Sequence, residues 1–347
     1  MKNRKNSLIA GIMTAVLALG AAGCGNPSNP ASVQAKENKT GTAADAAGLT
    51  KVRVGTDTMQ LAYAQVIGKQ NGYYEKNGID VEITTYAAGI ETINAIVTGA
   101  ADIGAAYDYA LCTRLIPASN VRVLSNFVTN ADGSYWFETS NPEIQSAADL
   151  SKGRIGIVKG TLGEYLIAKE LESGGLTLAD ADINYLSSDG EVVAAYVAKQ
   201  LDTILGLKPF TEEIEKAEGR HVLNTTGDIG IKSQGFIAAD AAFSEANPEA
   251  VAAYLKGTQE ALDFIKTNTD EAAQICADYL TVSKDDVLKS FDSFTFDVAF
   301  SAEDYDHLQE IADWCHENGV LEAETAISDY FVKEPLQIAL PEKLTWQ

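Results

Sequence analysis

Five acidic side chains fall where predicted strands hand over to helices: Asp57, Glu91, Asp108, Glu164 and Asp189. The cations beside them are Lys159 and Lys208. Carboxylates grouped this way can grip an ammonium group or the N–H edge of a heterocycle, and they repel a free sulfonate or nitrate. The same loops open helices, whose first backbone amides attract anions. An acid in the first helical turn can also face solvent and complement the dipole, which is the competing reading for Glu91 and Glu164. Asp57 can cap a helix as readily as it can touch a ligand.

In open α/β sheets, ligands bind beyond the carboxyl ends of the strands. On that rule the candidate contacts are Asp57, Thr58, Met59 and Gln60 in a first loop, then Gly89, Ile90, Glu91 and Thr92, then Tyr107 and Asp108. A second half of the chain adds Gly160, Thr161, Leu162, Gly163, Glu164 and Lys208. Tyr107, Tyr109, Tyr135, Trp136 and Tyr165 are candidates for aromatic walls. The loops Ser187 to Gly190 and Gly206 to Phe210 complete the predicted rim.

Metal and covalent chemistry find no support. The histidines are His221, His307 and His316, and the last two are nine residues apart in one predicted helix, so they do not share a face. No CxxC pair, cofactor motif or supported Ser/His/Asp order is present, so neither a metal, a cofactor nor an enzyme is expected. Cys112, Cys276 and Cys315 read as small buried apolar residues, with a Cys276–Cys315 disulfide left open outside the cell.

The elements that must hold these loops recur. Val52–Gly55 is a strand, Gln60–Gln70 a helix, Ile79–Thr84 a strand, a helix opens at Gly89, and Asp102–Ala106 is a third strand. About 100 residues later the order repeats as Arg154–Val158, Leu162–Leu171, Asp182–Leu186, a helix opening at Gly190, and Asp202–Leu205. Ala95 precedes Asp102 by seven residues, and Ala195 precedes Asp202 by seven. A constant offset predicts two lobes of one architecture, each with parallel strands covered by helices. Asp102 and Asp202, at the starts of buried strands, are expected to fix backbone turns. Beyond residue 232 the pattern is mostly helical, with Asn247-Pro248-Glu249 and Ser301-Ala302-Glu303-Asp304 as helix starts. The domain reading is residues 1–23 and 24–50 ahead of the body, 51–137 as the first part of lobe 1, 138–232 as lobe 2, and 233–347 as the return to lobe 1.

The first two segments are not core. Lys2, Arg4 and Lys5 precede an apolar run from Leu8 to Gly23 broken by Thr14, which describes a secretory signal peptide too short to span a membrane. Ala21-Ala22-Gly23-Cys24 resembles a bacterial lipoprotein box, which implies lipid attachment at Cys24. Residues 25–50 hold Val33 and Leu49 as their large aliphatics and no aromatic, the composition of a flexible tether. The whole chain of 347 residues carries a formal charge of −23, and loss of the three leader cations takes it to −26. That charge works against nucleic acid and against spreading on an anionic membrane. With 46% hydrophobic and 22% charged residues the body is globular.

Gly72 to Glu82, Gly99 to Gly104, Ala148 to Gly156 and Asn247 to Val251 resemble the ABC-importer solute-binding proteins for nitrate, taurine, aliphatic sulfonates and thiamine pyrimidine precursors. The resemblance spans Lys51 to about Val332. It implies an α/β fold of the type II periplasmic-binding-protein kind, with two hinged lobes, each a mainly parallel sheet flanked by helices. It implies a non-enzyme anchored outside the cell membrane that captures, by lobe closure, a small organic nitrogen or sulfur compound of the sulfonate, taurine or nitrate type and passes it to permease and ATPase subunits. A pyrimidine or other cationic or neutral heterocycle is the alternative solute. A sensor module and a pyrimidine-forming biosynthetic enzyme are the alternative classes. The loop Gly160-Thr161-Leu162-Gly163 stands where sulfonate binders carry glycine-serine-serine-alanine. Leu207-Lys208-Pro209 stands where Trp-Glu-Pro is common.

Overall fold

The computed structural model describes residues 48–117, 119–130 and 135–346. The predicted signal peptide, Cys24 and nearly all of the tether lie outside the described residues.

Short β-branched runs alternate with amphipathic segments, and two sheets result. The first contains β1 (Thr50–Thr56), β2 (Ile79–Thr85), β3 (Ile103–Tyr107) and β4 (Val121–Asn130). The second contains β5 (Trp136–Thr139), β6 (Arg154–Val158), β7 (Asp182–Leu186), β8 (Thr203–Gly206) and β9 (His221–Thr225). The chain then returns with β10 (Ser233–Asp240) and β11 (Thr295–Ala299) to the first sheet. The orders are β11-β4-β10-β3-β1-β2 and β7-β6-β8-β5-β9.

Each sheet holds the predicted parallel trio: β2-β1-β3 in one lobe and β7-β6-β8 in the other. The trio is then extended antiparallel by a strand that has just crossed from the other lobe, β10 on β3 and β5 on β8. The sheets are therefore mixed rather than mainly parallel. The crossings run between Asn130 and Trp136 and between Thr225 and Ser233. The expected boundary after residue 137 falls inside β5, which pairs wholly with the second sheet. The stretch after residue 232 is less helical than its composition suggests, because β10 and β11 interrupt it.

The repeat extends to single hydrogen bonds. Arg53 N–H donates to Asp102 Oδ2 at 2.8 Å, and its Nε donates to the same oxygen at 3.1 Å. In the other lobe Arg154 N–H and Nε both donate to Asp202 Oδ2 at 2.8 Å. Each aspartate thus satisfies a backbone amide of the neighbouring strand, inside β1 in one lobe and at the start of β6 in the other. Asp202→Ala should cost about 1–3 kcal/mol by leaving that amide without its acceptor. The check is the midpoint of chemical unfolding, and an unchanged midpoint would show that water replaces the carboxylate without loss.

The late helices complete the first lobe. Helix Pro248–Thr267 packs on helices Ala62–Gln70 and Tyr73–Lys76. Tyr74 stacks on Tyr254 with centroids 5.2 Å apart, and its hydroxyl lies 3.2 Å from Thr258 Oγ1. The ring fits because Gly68 and Gly257 lack side chains; a Cβ on either would come within 2.7 Å of it.

Candidate functional site

The carboxyl ends of both parallel trios face one cavity with about 550 Å³ of free space, part of it open to solvent. Asp57, Met59 and Gln60 reach it from the turn after β1. Ala87, Ala88, Gly89 and Ile90 reach it from the turn after β2, and Tyr107 and Ala110 from the end of β3. Tyr135, Thr161, Leu162, Gly163, Asp189, Leu205 and Leu207 come from the second half. The walls are mostly aliphatic and aromatic, with a few polar groups, as small-molecule sites are.

The polar groups are informative. Asp57 is 3% exposed, and its Oδ1 accepts the Met59 N–H at 2.9 Å. Burial pushes its carboxyl up to about 7; the Met59 N–H pulls the other way, and the charge on Asp189 adds to the rise. Asp189 opens helix Asp189–Val197 in the other lobe, and burial pushes its carboxyl up to about 6. Gln60 is 1% exposed, and neither its amide oxygen nor its amide nitrogen has a partner in the protein. Burial raises the Tyr107 and Tyr135 hydroxyls far enough that both stay neutral. No Lys, Arg or His is among the lining residues. The cavity is therefore a low-dielectric space with one carboxyl on each lobe and no counterion from the protein.

Of the predicted contacts, Asp57, Met59, Gln60, Gly89, Ile90, Tyr107, Thr161, Leu162 and Gly163 line this cavity. The others are engaged elsewhere. Thr58 is exposed and does not line the cavity. Glu91 bends back to accept the Ala87 N–H at 2.9 Å. The Thr92 hydroxyl is buried and donates to Gly89 O and Ala105 O. Asp108 is fully buried and accepts from the N–H groups of Tyr109 and Gln234 at 2.8 Å, with His307 Nε2 at 2.7 Å. It ties the end of β3 to the returning strand β10 and to helix Ala302–Glu317.

Gly160 is not a lining residue; its φ of 74° turns the backbone so that its N–H meets Glu164 Oε2 at 2.7 Å. Glu164 is 7% exposed, and it also accepts from Tyr185 Oη at 3.0 Å and Tyr109 Oη at 3.3 Å. These three partners are protein groups, and Glu164 does not line the cavity. The Lys208 ammonium reaches the Ser293 hydroxyl and Lys289 O on helix Lys284–Ser293. Lys159 lies 5.4 Å over the Tyr185 ring. Among the wall candidates, Tyr107 and Tyr135 line the cavity while Tyr109 and Tyr165 pack beside it. Ala110 and Leu205 were not foreseen, and such small apolar residues carry no chemical signal of their own. Cys112, Cys276 and Cys315 are buried free thiols, so no Cys276–Cys315 bridge forms. Among the described residues no His, Cys, Asp or Glu cluster could hold a metal, and no helix is long and apolar enough to cross a membrane.

Comparison with known proteins agrees with this architecture. The model of the family described as NMT1/THI5 like matches residues 62–272. Proteins of Brucella abortus, Brucella suis and Brucella melitensis, provisionally named binding proteins, are 28% identical over 222 residues, 63% of this chain and 67% of theirs. The alkanesulfonate-binding protein SsuA of Xanthomonas axonopodis pv. citri, solved with MOPS, superposes with a TM-score of 0.71 at 18% identity, covering 82% of this chain and 98% of that one. The periplasmic nitrate-binding protein NrtA of Synechocystis gives 0.68 at 17% identity over 85% and 89%. The desulfurization enzyme DszB gives 0.63 at 16% identity over 84% and 99%, so the fold also carries catalysis. At these identities the structures share the periplasmic-binding-protein fold with this chain.

Proposed function

The chain belongs to the NMT1/THI5-like family, and from that premise we propose that it is the solute-binding component of an ABC importer that captures a small cationic or N–H-rich nitrogen compound. The observation that carries the solute class is the pair Asp57 and Asp189, one on each lobe, in a cavity whose lining holds no cation. Both carboxyls resist ionisation where they stand. A ligand bearing positive charge or several N–H donors would supply the missing counterion. The unpartnered Gln60 amide offers an NH2 group with two donors and a carbonyl acceptor to the same cavity.

Capture follows from where the walls come from. A solute that touches Asp57 and Asp189 together bridges the lobes, so it binds the closed arrangement more tightly than an open one and shifts the population toward it. We infer that the closed form is delivered to permease and ATPase subunits. The proposed site on the chain is outside the cytoplasmic membrane, with a lipid on Cys24 and residues 25–50 as tether. No turnover is proposed: no histidine is among the residues that line the cavity, and His307 is engaged by Asp108.

One observation favours a second reading, a sulfonate or related oxyanion. Helices Gly89–Val97 and Leu162–Ser173 both point their N-terminal ends at the cavity, and such ends attract anions. The two readings separate in a thermal-shift screen. One set holds amines, aminopyrimidines and flavin-type heterocycles; the other holds taurine, alkanesulfonates, nitrate and bicarbonate. A compound of the first set is expected to stabilise the protein by about 2.7 kcal/mol at a hundredfold excess over Kd. A shift with the oxyanions alone would overturn the cationic reading.

A further inference from the structure

The lobes also touch through side chains that are not among those lining the candidate cavity. Tyr109 follows the cavity-lining end of β3 and packs flat on Tyr165 of the other lobe, with centroids 5.6 Å apart and planes 17° apart. Trp314, from helix Ala302–Glu317 on the first lobe, meets both rings edge-on at 6.0 and 5.2 Å. Its indole N–H donates to Glu172 Oε1 of the second lobe at 2.8 Å. The Tyr109 hydroxyl donates to Glu164 Oε2, the oxygen that also takes the Gly160 N–H.

We propose that Tyr109, Glu164, Tyr165 and Trp314 form an interlobe clasp that holds the lobes together by direct protein contact and so sets how much of the protein is ready to bind. The argument has two parts. The contacts are between protein groups, so their attraction is present whether or not a solute sits in the cavity. Each jaw is also covalently next to the cavity wall: Tyr109 lies two residues after Tyr107, and Glu164 directly follows Gly163. Opening the lobes must therefore break the Tyr109–Glu164 hydrogen bond and unstack Tyr109 from Tyr165. Apparent affinity equals intrinsic affinity scaled by the competent fraction, so these residues tune binding without touching solute. The inference does not depend on which solute the cavity takes.

The test needs no ligand. Spin labels on cysteines placed at exposed Lys152 and Glu271, one on each lobe, report the interlobe distance in the purified protein without added solute. The unmodified background should give mainly the short distance. Trp314→Ala should raise the ratio of long to short distances at least about tenfold, and Trp314→Phe, which keeps a ring, should restore part of the short population. Tyr109→Phe removes one hydroxyl from a packed ring and guards against a Trp314→Ala variant that fails to fold; it should shift the ratio in the same direction by a smaller factor. Identical distance distributions in all variants, or a mainly long distance in the parent protein, would overturn the clasp.

Discussion

Asp57→Asn is expected to weaken binding of a cationic solute by about a hundredfold or more, since removing one partner of a buried charged pair costs about 3–5 kcal/mol. The side chain keeps its size and can still accept the Met59 N–H through its carbonyl oxygen, so the turn after β1 should survive. What is lost is the charge that a bound cation needs. The same substitution removes a carboxyl that is costly to ionise in place, so the solute-free protein should become more stable at pH 8, not less. That combination separates a lost contact from a damaged fold. Asp189→Asn should weaken binding by a smaller factor, because Asp189 keeps part of its surface in solvent. The double variant should lose less than the product of the two factors, since both groups serve one cation. Titration calorimetry at pH 8 with the compound that gives the thermal shift decides it. Unchanged affinity in Asp57→Asn would remove the carboxylate pair from the recognition of solute. A gain in sulfonate affinity would point to the helix N-terminal ends as the true binding feature.

The two lobes were legible because their strongest signals are local. Ile103–Tyr107 and Arg154–Val158 are short apolar runs bounded by turn residues, and the 100-residue offset makes each lobe a control for the other. The crossing strands were not legible. Trp136–Thr139 is four residues long, and Ser233–Asp240 pairs with Val121–Asn130 across more than 100 residues of intervening chain. Nothing within either segment states that pairing. The register is set by tertiary packing, with Phe236, Ile237 and Ala238 all buried.

The site divides along a similar line. Asp57 and Gln60 were recognisable from position alone, since they follow the first strand. Glu91, Glu164 and Asp108 occupy equivalent positions and do other work. Glu91, Glu164 and Glu191 each bend back to a backbone N–H four residues earlier, at Ala87, Gly160 and Ser187. An acid that only closes its own turn and an acid that lines the cavity have the same sequence signature. The difference is the side-chain direction, which depends on what packs beside the loop. Lys208 shows the same limit. Its place after β8 suggested a cation for the cleft, and the approach of helix Lys284–Ser293 draws it away.

The carboxyl pair also fixes how the protein should answer to pH, and the two readouts run in opposite directions. Asp57 titrates near 7 and Asp189 near 6 in the folded chain, against 3.8 for an ordinary aspartate. For an acid whose folded value is raised, the folded state holds its proton more tightly than the unfolded state. The contribution of these two groups to the stability of the solute-free protein should therefore increase as pH falls from about 7 toward 4, at no more than about 1.4 kcal/mol per pH unit for each group. Asp189 contributes the smaller share, as it is partly exposed. The increase ends below the unfolded value, where both states are protonated. Because the two charges interact, the apparent midpoints belong to the pair. Cation binding requires the ionised forms, so affinity should fall through the same window, by about tenfold per pH unit for each proton that must leave. An oxyanion ligand would show the reverse, binding better as the carboxyls are neutralised. Unfolding and binding measured side by side between pH 8 and 5, in the parent protein and in Asp57→Asn, test this directly. The variant should lose the larger part of both slopes. Equal slopes in parent and variant would assign the pH response to groups outside the cavity.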